Sequence, residues 1–297
     1  MLYIYNIYLK LSIANDHPFF VPQLMYTNYL SFTTVSPAMG IKESAIKQFG
    51  KQAQAYSKGN IFVDGFHLSK IVEITGVKEN QRVLDIATGS GFLALEFAKK
   101  TKNVTGCDIT RNMLLHAKEK QKNSGLDNID FLLCDVESLP FPDGAFDIVS
   151  CRFAFHHFPD PKKALLEMRR VARQTIVLVD GVSSEDPEKS KFHNEIEKMR
   201  DPSHVRINAM SEIKNMFEDI GAVIKDISHW EIPQDFDEWI KRAGAGEETI
   251  IKIRGLMTGS VANYNDSTGL HVKIENGKLG FTYDTIILIA EAISFSS

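Results

Sequence analysis

A chain of 297 residues with 43% hydrophobic content is long enough to bury a sizeable core. Its net charge of -4, with acids and bases interspersed, excludes a basic field for nucleic acid and a polybasic membrane anchor. Three separated cysteines, Cys107, Cys134 and Cys151, each beside an apolar run, fit neither a disulfide framework nor a zinc site and point to a reducing cytoplasm. Residues 1–38 are rich in Tyr, Phe and Leu, nearly uncharged and without a helical or strand period, so they are expected to be a poorly ordered or non-core extension. No basic segment precedes their apolar stretch, and Asn6, Lys10, Asn15 and Asp16 interrupt it before it could span a bilayer, which argues against stable membrane insertion. Met39 opens normally charged sequence and is an alternative start.

From Ile41 to Tyr56 the apolar residues follow the spacing of an amphipathic helix, and a second helix over 66–75 stops at Gly76. A regular alternation follows: strand 82–87, helix 91–100, strand 103–108, helix 110–123, strands 129–133 and 146–151, helix 161–173 and strand 175–181. Asp160 and Pro161 form a helix entry, an N-cap followed by an N1 proline. Strands alternating with helices over short links imply a parallel sheet covered on both faces. Beyond "TIVLVDGV" the spacing predicts helices near 187–199 and 210–219, a strand over 222–231, helices near 235–243 and 246–257, and a last strand within "FTYDTIILIAEAI".

The stretch "VLDIATGSGFLALEFAKK" carries a strand into a glycine turn and a helix, the start of a site for a nucleotide-like cofactor. Gly89-x-Gly91 alone would also suit a dinucleotide. Three acids discriminate, since Asp85, Asp108 and Asp135 end successive strands, where open α/β sheets bind ligands. A carboxylate at Asp85 would repel the pyrophosphate of a nicotinamide cofactor. It suits the cationic amino group and sulfonium of S-adenosylmethionine, with Asp108 on the ribose hydroxyls and Asp135 with the Val136 N–H on the adenine.

"VLDIATGSG", "GCDITRNML", "CDVESLPFPDGAFDIVSCRFAFHHFPDP" and "ALLEMRRVAR" together resemble a class I S-adenosylmethionine-dependent methyltransferase of the type 11 group, related to ubiquinone/menaquinone biosynthesis methyltransferases. The resemblance implies an α/β, Rossmann-like seven-stranded sheet in order 3-2-1-4-5-7-6 with strand 7 antiparallel, helices on both faces and an N-terminal helical lid. One methyltransferase domain over 39–297 would comprise the lid 41–76, a cofactor-binding core 80–182, an acceptor-side insertion 183–209 and a C-terminal half 210–297. "QFGKQAQAYS" is similar to the lid stretch of such enzymes, which implies lid roles for Phe49 and Tyr56. Implied cofactor contacts are Tyr56, Asp85, Ala87, Thr88, Gly89, Gly91, Asp108, Ile109, Met113, Asp135, Val136, Arg152 and Phe153. Two departures stand out: Ala87 replaces the motif's first glycine, tolerable where backbone angles are ordinary, and the turn that usually precedes the fifth strand is missing from "RVARQTIVLVD".

The expected reaction is in-line displacement of a methyl group onto a small-molecule acceptor, requiring position rather than a metal. For a hydroxyl or acidic carbon a general base would help, and His157, then His156, are the candidates. His204 and Arg206 in "DPSHVR" are expected as loop residues on the acceptor side, and Trp230 and Trp239 as packing residues. Competing readings are a quinone-precursor C-methyltransferase, an NAD-dependent oxidoreductase and a non-catalytic cofactor-binding protein.

Overall fold

The computed structural model describes residues 37–57, 65–262 and 266–292, which all fall in the compact unit Pro37–Ser297; the expected extension up to Ser36 lies outside them. Two helices, α1 (Pro37–Ser57) and α2 (Gly65–Thr75), precede the sheet. Then come β1 (Arg82–Ile86), α3 (Phe92–Ala98), β2 (Asn103–Asp108), α4 (Arg111–Ser124), β3 (Ile129–Leu133), β4 (Phe146–Arg152), α5 (Pro161–Val171) and β5 (Ala172–Gly181). The remainder is α6 (Pro187–Arg200), α7 (Met210–Asp219), β6 (Val223–Asp235), α8 (Phe236–Ala243), α9 (Glu247–Ala262), β7 (Lys273–Glu275) and β8 (Lys278–Glu291).

The sheet runs β3-β2-β1-β4-β5-β8-β6, with β1 to β5 parallel and β8 antiparallel to both its neighbours. This is the expected order with one correction: the sheet has eight strands, because β7 adds a short hairpin to β8. The hairpin turn is Asn276-Gly277, both at positive φ (52° and 77°), the backbone that an Asn-Gly two-residue turn favours. As the missing turn implied, α5 passes into β5 without a loop, at Ala172 rather than 175. Asp160 caps α5 by accepting the Lys163 N–H at 2.9 Å.

Alternation along each strand builds two core layers. Val83, Ile148, Val177 and Ile287 pack with Leu68, Phe97 and Leu114 of α2, α3 and α4. Leu84, Val149, Ile176, Leu178 and Leu288 pack with Leu165, Met168 and Phe217 of α5 and α7. Each such fully buried side chain contributes about 1.5–3 kcal/mol, so the sheet is a rigid platform for the loops at its carboxyl edge. A third cluster, with Ile196, Phe236, Trp239, Met257 and Phe281, joins α6, α8 and α9 to β8.

The turn after β1 is held by steric limits. Gly91 begins α3 at φ 79°, and a Cβ there would meet Ala117 Cβ and Phe131 Cζ, each at 2.9 Å. Gly89, at φ 55°, has nothing within 4 Å of its Cβ position. Gly91→Ala is expected to lower stability by about 2–5 kcal/mol, from a left-handed backbone penalty of about 1–2 and overpacking of about 1–3. Gly89→Ala should cost only the first of these. Urea midpoints of the two variants check the order, and equal losses would contradict it.

Candidate active site

One cavity of about 220 Å³ opens at the carboxyl ends of β1, β2, β4 and β5. Ala87, Thr88, Gly89, Asp108, Ile109, Met113, Asp135, Val136, Arg152, Phe153, His156 and His157 all line it. The crossover geometry explains the convergence: β1 sits between β2 and β4, at the point where the strand order reverses and a crevice must open.

Two expected residues stand behind the wall. Gly91 does not line the cavity, and its role is the close packing described above. Asp85, 2% exposed, is likewise absent from the lining; it accepts the Thr88 hydroxyl at 2.6 Å and the Ser150 hydroxyl at 2.8 Å. Burial pushes its carboxyl up to about 6, against the pull of these two donors and of the Arg152 charge. Burial lowers Arg152 in turn to about 10, opposed by Asp85, and its guanidinium lies 4.6 Å from the Phe153 ring centroid. Asp85 thus fixes the loop through Thr88.

Asp108 closes the second strand. One of its oxygens accepts the Gly89 N–H at 2.9 Å and the other the Thr110 N–H at 2.7 Å. Burial raises its pKa, while the Thr110 and Gly89 amides favour the charged form. The glycine loop is therefore tied to β2 by the same side chain that faces the cavity. Ala87 adopts φ 47°, so the expectation of ordinary backbone angles is corrected. Its left-handed conformation costs about 1–2 kcal/mol that glycine would avoid. Phe153, at φ 52°, is a second strained residue on the same rim.

At the third strand end helix α1 intervenes. Lys42 of α1 donates to Asp135 at 2.7 Å and to Glu137 at 2.7 Å, and the Glu137 N–H donates to the other Asp135 oxygen at 3.0 Å. Gln48 and Gln52 of the same helix donate to the Ala243 carbonyl at the end of α8, at 3.1 and 2.7 Å. Phe49 packs edge-on to His157, with centroids 4.8 Å apart. The Tyr56 side chain lies outside the described residues.

The histidine turn, Phe155–His157, follows β4. His156 Nδ1 lies 2.7 Å from an oxygen of Asp180, which also accepts the His156 N–H at 3.0 Å and the Gly181 N–H at 2.8 Å. Burial works to lower the His156 pKa, but Asp180, with Glu197 and Asp201 farther off, holds it above the ordinary value. His157 differs: its Nδ1 meets the Ser203 carbonyl at 3.2 Å, and burial together with the His156 charge lowers it to about 4. Asp180 was missed in the sequence, although it ends a strand as Asp85 and Asp108 do.

The far side of the cavity is built by Glu197 and Arg200 of α6, Ile232 of β6, Trp239 and Arg242 of α8, and Tyr283 and Thr285 of β8. Trp239, expected only to pack, is fully buried and also lines this wall, whereas Trp230 packs against His67 at 4.9 Å. His204 is buried, its Nε2 2.9 Å from Asn194 Oδ1, and burial lowers its pKa. Arg206 is paired with Glu212 at 2.8 Å and does not line the cavity.

Comparison with known proteins agrees with this geometry. Residues 84–179 match a methyltransferase domain model. The chain is 39% identical over 198 residues to the uncharacterized methyltransferase YcgJ of Bacillus subtilis strain 168, covering 66% of this chain and 78% of that protein. The YcgJ crystal structure superposes with a TM-score of 0.72 at 32% identity, covering 77% of this chain and 98% of that one. BH2331 of Bacillus halodurans C-125 gives a TM-score of 0.73 at 30% identity over 77% of this chain and all (100%) of its own. A match to the ubiquinone/menaquinone biosynthesis C-methyltransferase UbiE of Bdellovibrio bacteriovorus is partial, 44% over 131 residues, spanning 42% of this chain and 55% of that protein. The chain belongs to the S-adenosylmethionine-dependent methyltransferases, with the Rossmann-like fold of that family.

Proposed function

We propose that the cavity binds S-adenosylmethionine along the ends of β1 to β3 and a small-molecule acceptor between the histidine turn and the β6/β8 wall. The observation that carries this reading is the presence, in one cavity, of the Asp108-tied glycine loop and the His156–Asp180 pair. The residues fit the cofactor. Gly89 leaves open space beside its backbone, and Asp108, with one hydrogen bond on each oxygen, keeps lone pairs for two ribose hydroxyls. Asp135 likewise has capacity beyond Lys42 for an adenine amino group. When bound, the cofactor supplies a methyl group on a positively charged sulfur.

The chain's own contribution is then alignment, which in well-oriented systems is worth about 7–11 kcal/mol. Met113, Ile109 and Val136 exclude water around the donor, and Phe49 covers the histidine turn. Asp85 is a positioning residue here, acting through Thr88 and Ser150.

Of the two histidines, His156 has the geometry of a general base. With Nδ1–H donating to Asp180, the lone pair resides on Nε2, and a carboxylate behind an imidazole both orients it and raises its basicity. His157, with its depressed pKa and an Nδ1–H on a carbonyl, is suited to shaping the site as a neutral ring. The preference expected for His157 is thus replaced by one for His156. A quinone-precursor carbon acceptor gains no support from the UbiE match, which covers under half of this chain. Three buried free cysteines fit a cytoplasmic setting, and among the described residues no helix is long and apolar enough to cross a membrane.

Asp108→Ala should weaken S-adenosylhomocysteine binding by at least about 10- to 100-fold in isothermal titration, since even one of the two charge-assisted hydrogen bonds to ribose is worth about 1.5–3 kcal/mol. Asp85→Asn, which acts only through the Thr88 and Ser150 hydroxyls, should cost less. An unchanged affinity for Asp108→Ala would contradict the cofactor assignment.

His156 must be neutral to accept a proton, and its pKa is raised from 6.5, so turnover should fall as pH drops through a value above 6.5. The groups facing it are Asp180, Glu197 and Asp201, which favour its charge, and His157, His193 and His204, which titrate or stay neutral beside it. Asp180→Asn should move this acidic limb to lower pH and lower the plateau by about 10²- to 10⁴-fold, the usual worth of general-base catalysis. A pH–rate profile identical in the variant would contradict the role.

A further inference from the structure

The ion-pair cluster at the end of β3 joins distant stretches of chain at the cavity wall. Lys42 of α1 stands 93 and 95 residues before the two acids that it contacts, and Lys42, Asp135 and Glu137 all line the cavity. Its Nζ donates at 2.7 Å to one oxygen of each carboxylate. The two acids differ in their surroundings. The Glu137 side chain is 4% exposed, and its other oxygen accepts the Asp160 N–H at 3.1 Å, which fixes it to the entry of α5. The Asp135 side chain is 31% exposed, and its second oxygen takes the Glu137 N–H at 3.0 Å, so lone pairs remain on both oxygens. Glu137 thus anchors the cluster, and Asp135 keeps hydrogen-bonding capacity for a ligand.

One ammonium serves two carboxylates, and the shared charge has a chemical consequence. Neighbouring carboxylates without a counter-charge disfavour each other's ionised form, so one of them binds a proton more readily. A second cation, Lys163, approaches Glu137 to 4.0 Å, but its side chain is 55% exposed and solvent screens it. Lys42, 20% exposed and in hydrogen-bond contact with both acids, is the stronger counter-charge. It keeps Asp135 an acceptor on both oxygens. A protonated Asp135 would turn a donor toward the ligand instead.

Resting on the adenine reading of Asp135 given above, we propose that Lys42 is a positioning residue for the donor: anchored by Glu137, it holds Asp135 charged and oriented, so that the carboxylate accepts the adenine amino group and disfavours a carbonyl in its place. The selection comes from hydrogen-bond sign. An amino group donates to a carboxylate, whereas a carbonyl oxygen in the same position sets two acceptors face to face and leaves both unpaired. Lys42 acts through Asp135. Because it belongs to α1, the purine is read fully only with that helix in place.

The test is isothermal titration of the full chain with S-adenosylhomocysteine and with S-inosylhomocysteine, its 6-oxo analogue, which carries a carbonyl where adenine has its amino group. The native protein should bind the adenine compound at least about tenfold more tightly. Lys42→Met, apolar and of similar length, should weaken S-adenosylhomocysteine binding and reduce the preference to about threefold or less, with the same direction in Lys42→Gln and rescue in Lys42→Arg. The double variant Gln48→Ala/Gln52→Ala, which removes the hydrogen bonds of α1 to the Ala243 carbonyl, should keep the preference, because it loosens the helix without discharging Asp135. Asp135→Asn should lose it, since an amide both donates and accepts. A native preference retained in Lys42→Met and Lys42→Gln but lost in Asp135→Asn would overturn the proposal and leave the adenine reading standing. A loss in the glutamine double variant as large as that in Lys42→Met would also overturn it, because the packing of α1 alone would then explain the effect. A preference that survives Asp135→Asn, or none in the native protein, would strike the adenine reading and the proposal with it. Failure of the native protein to bind S-adenosylhomocysteine would strike the cofactor reading itself.

Discussion

Three carboxylates are taken out of water at the carboxyl edge of one sheet, and the site depends on how each is compensated. Asp85, Asp108 and Asp180 are 2%, 7% and 1% exposed. A buried charge without partners would cost several kcal/mol. Asp85 is held by two hydroxyls, Asp108 by two backbone amides, and Asp180 by two amides and an imidazole. These partners come from different elements, so satisfying the charges also fixes the glycine loop to β2, β1 to β4, and the histidine turn to β5. Electrostatic necessity and site geometry are the same set of bonds.

Helix α1 extends this logic across the cavity. At one end of α1, Lys42 neutralises the pair Asp135 and Glu137. Farther along, Gln48 and Gln52 converge on one carbonyl at the end of α8. One helix therefore touches both the β3 end of the cavity and the end of α8. The loop beneath Lys42 is braced separately by Arg170, whose guanidinium donates to the carbonyls of Phe141 and Leu139 and to Glu167.

Much of this architecture was legible in the sequence because it is written in short-range patterns. Two-residue alternation in β1 and β5, the Asp160-Pro161 entry and the glycine turn each have a local cause, and the family resemblance supplied the strand order. The β7–β8 hairpin was equally local: Asn276-Gly277 between Lys273–Glu275 and Lys278 is a strong turn signal that the apolar pattern of the last strand overshadowed. Ala87 misled because a left-handed backbone is not visible in an alanine. Asp180 obeyed the same strand-end rule as Asp85 and Asp108 and could have been found by applying it once more. Lys42 and the Glu197–Tyr283–Trp239 network could not, since each joins residues far apart in the chain whose meeting depends on the packed whole.

The central claim is that the strand-end carboxylates and the glycine loop form a single cradle for one sulfonium donor. A crystal structure of the protein with S-adenosylhomocysteine tests it most directly. The account requires the ribose hydroxyls on Asp108, the amino-acid portion over the Thr88–Gly89 backbone and the sulfur directed toward His156. A ligand seated elsewhere, or one whose ribose makes no contact with Asp108, would contradict it.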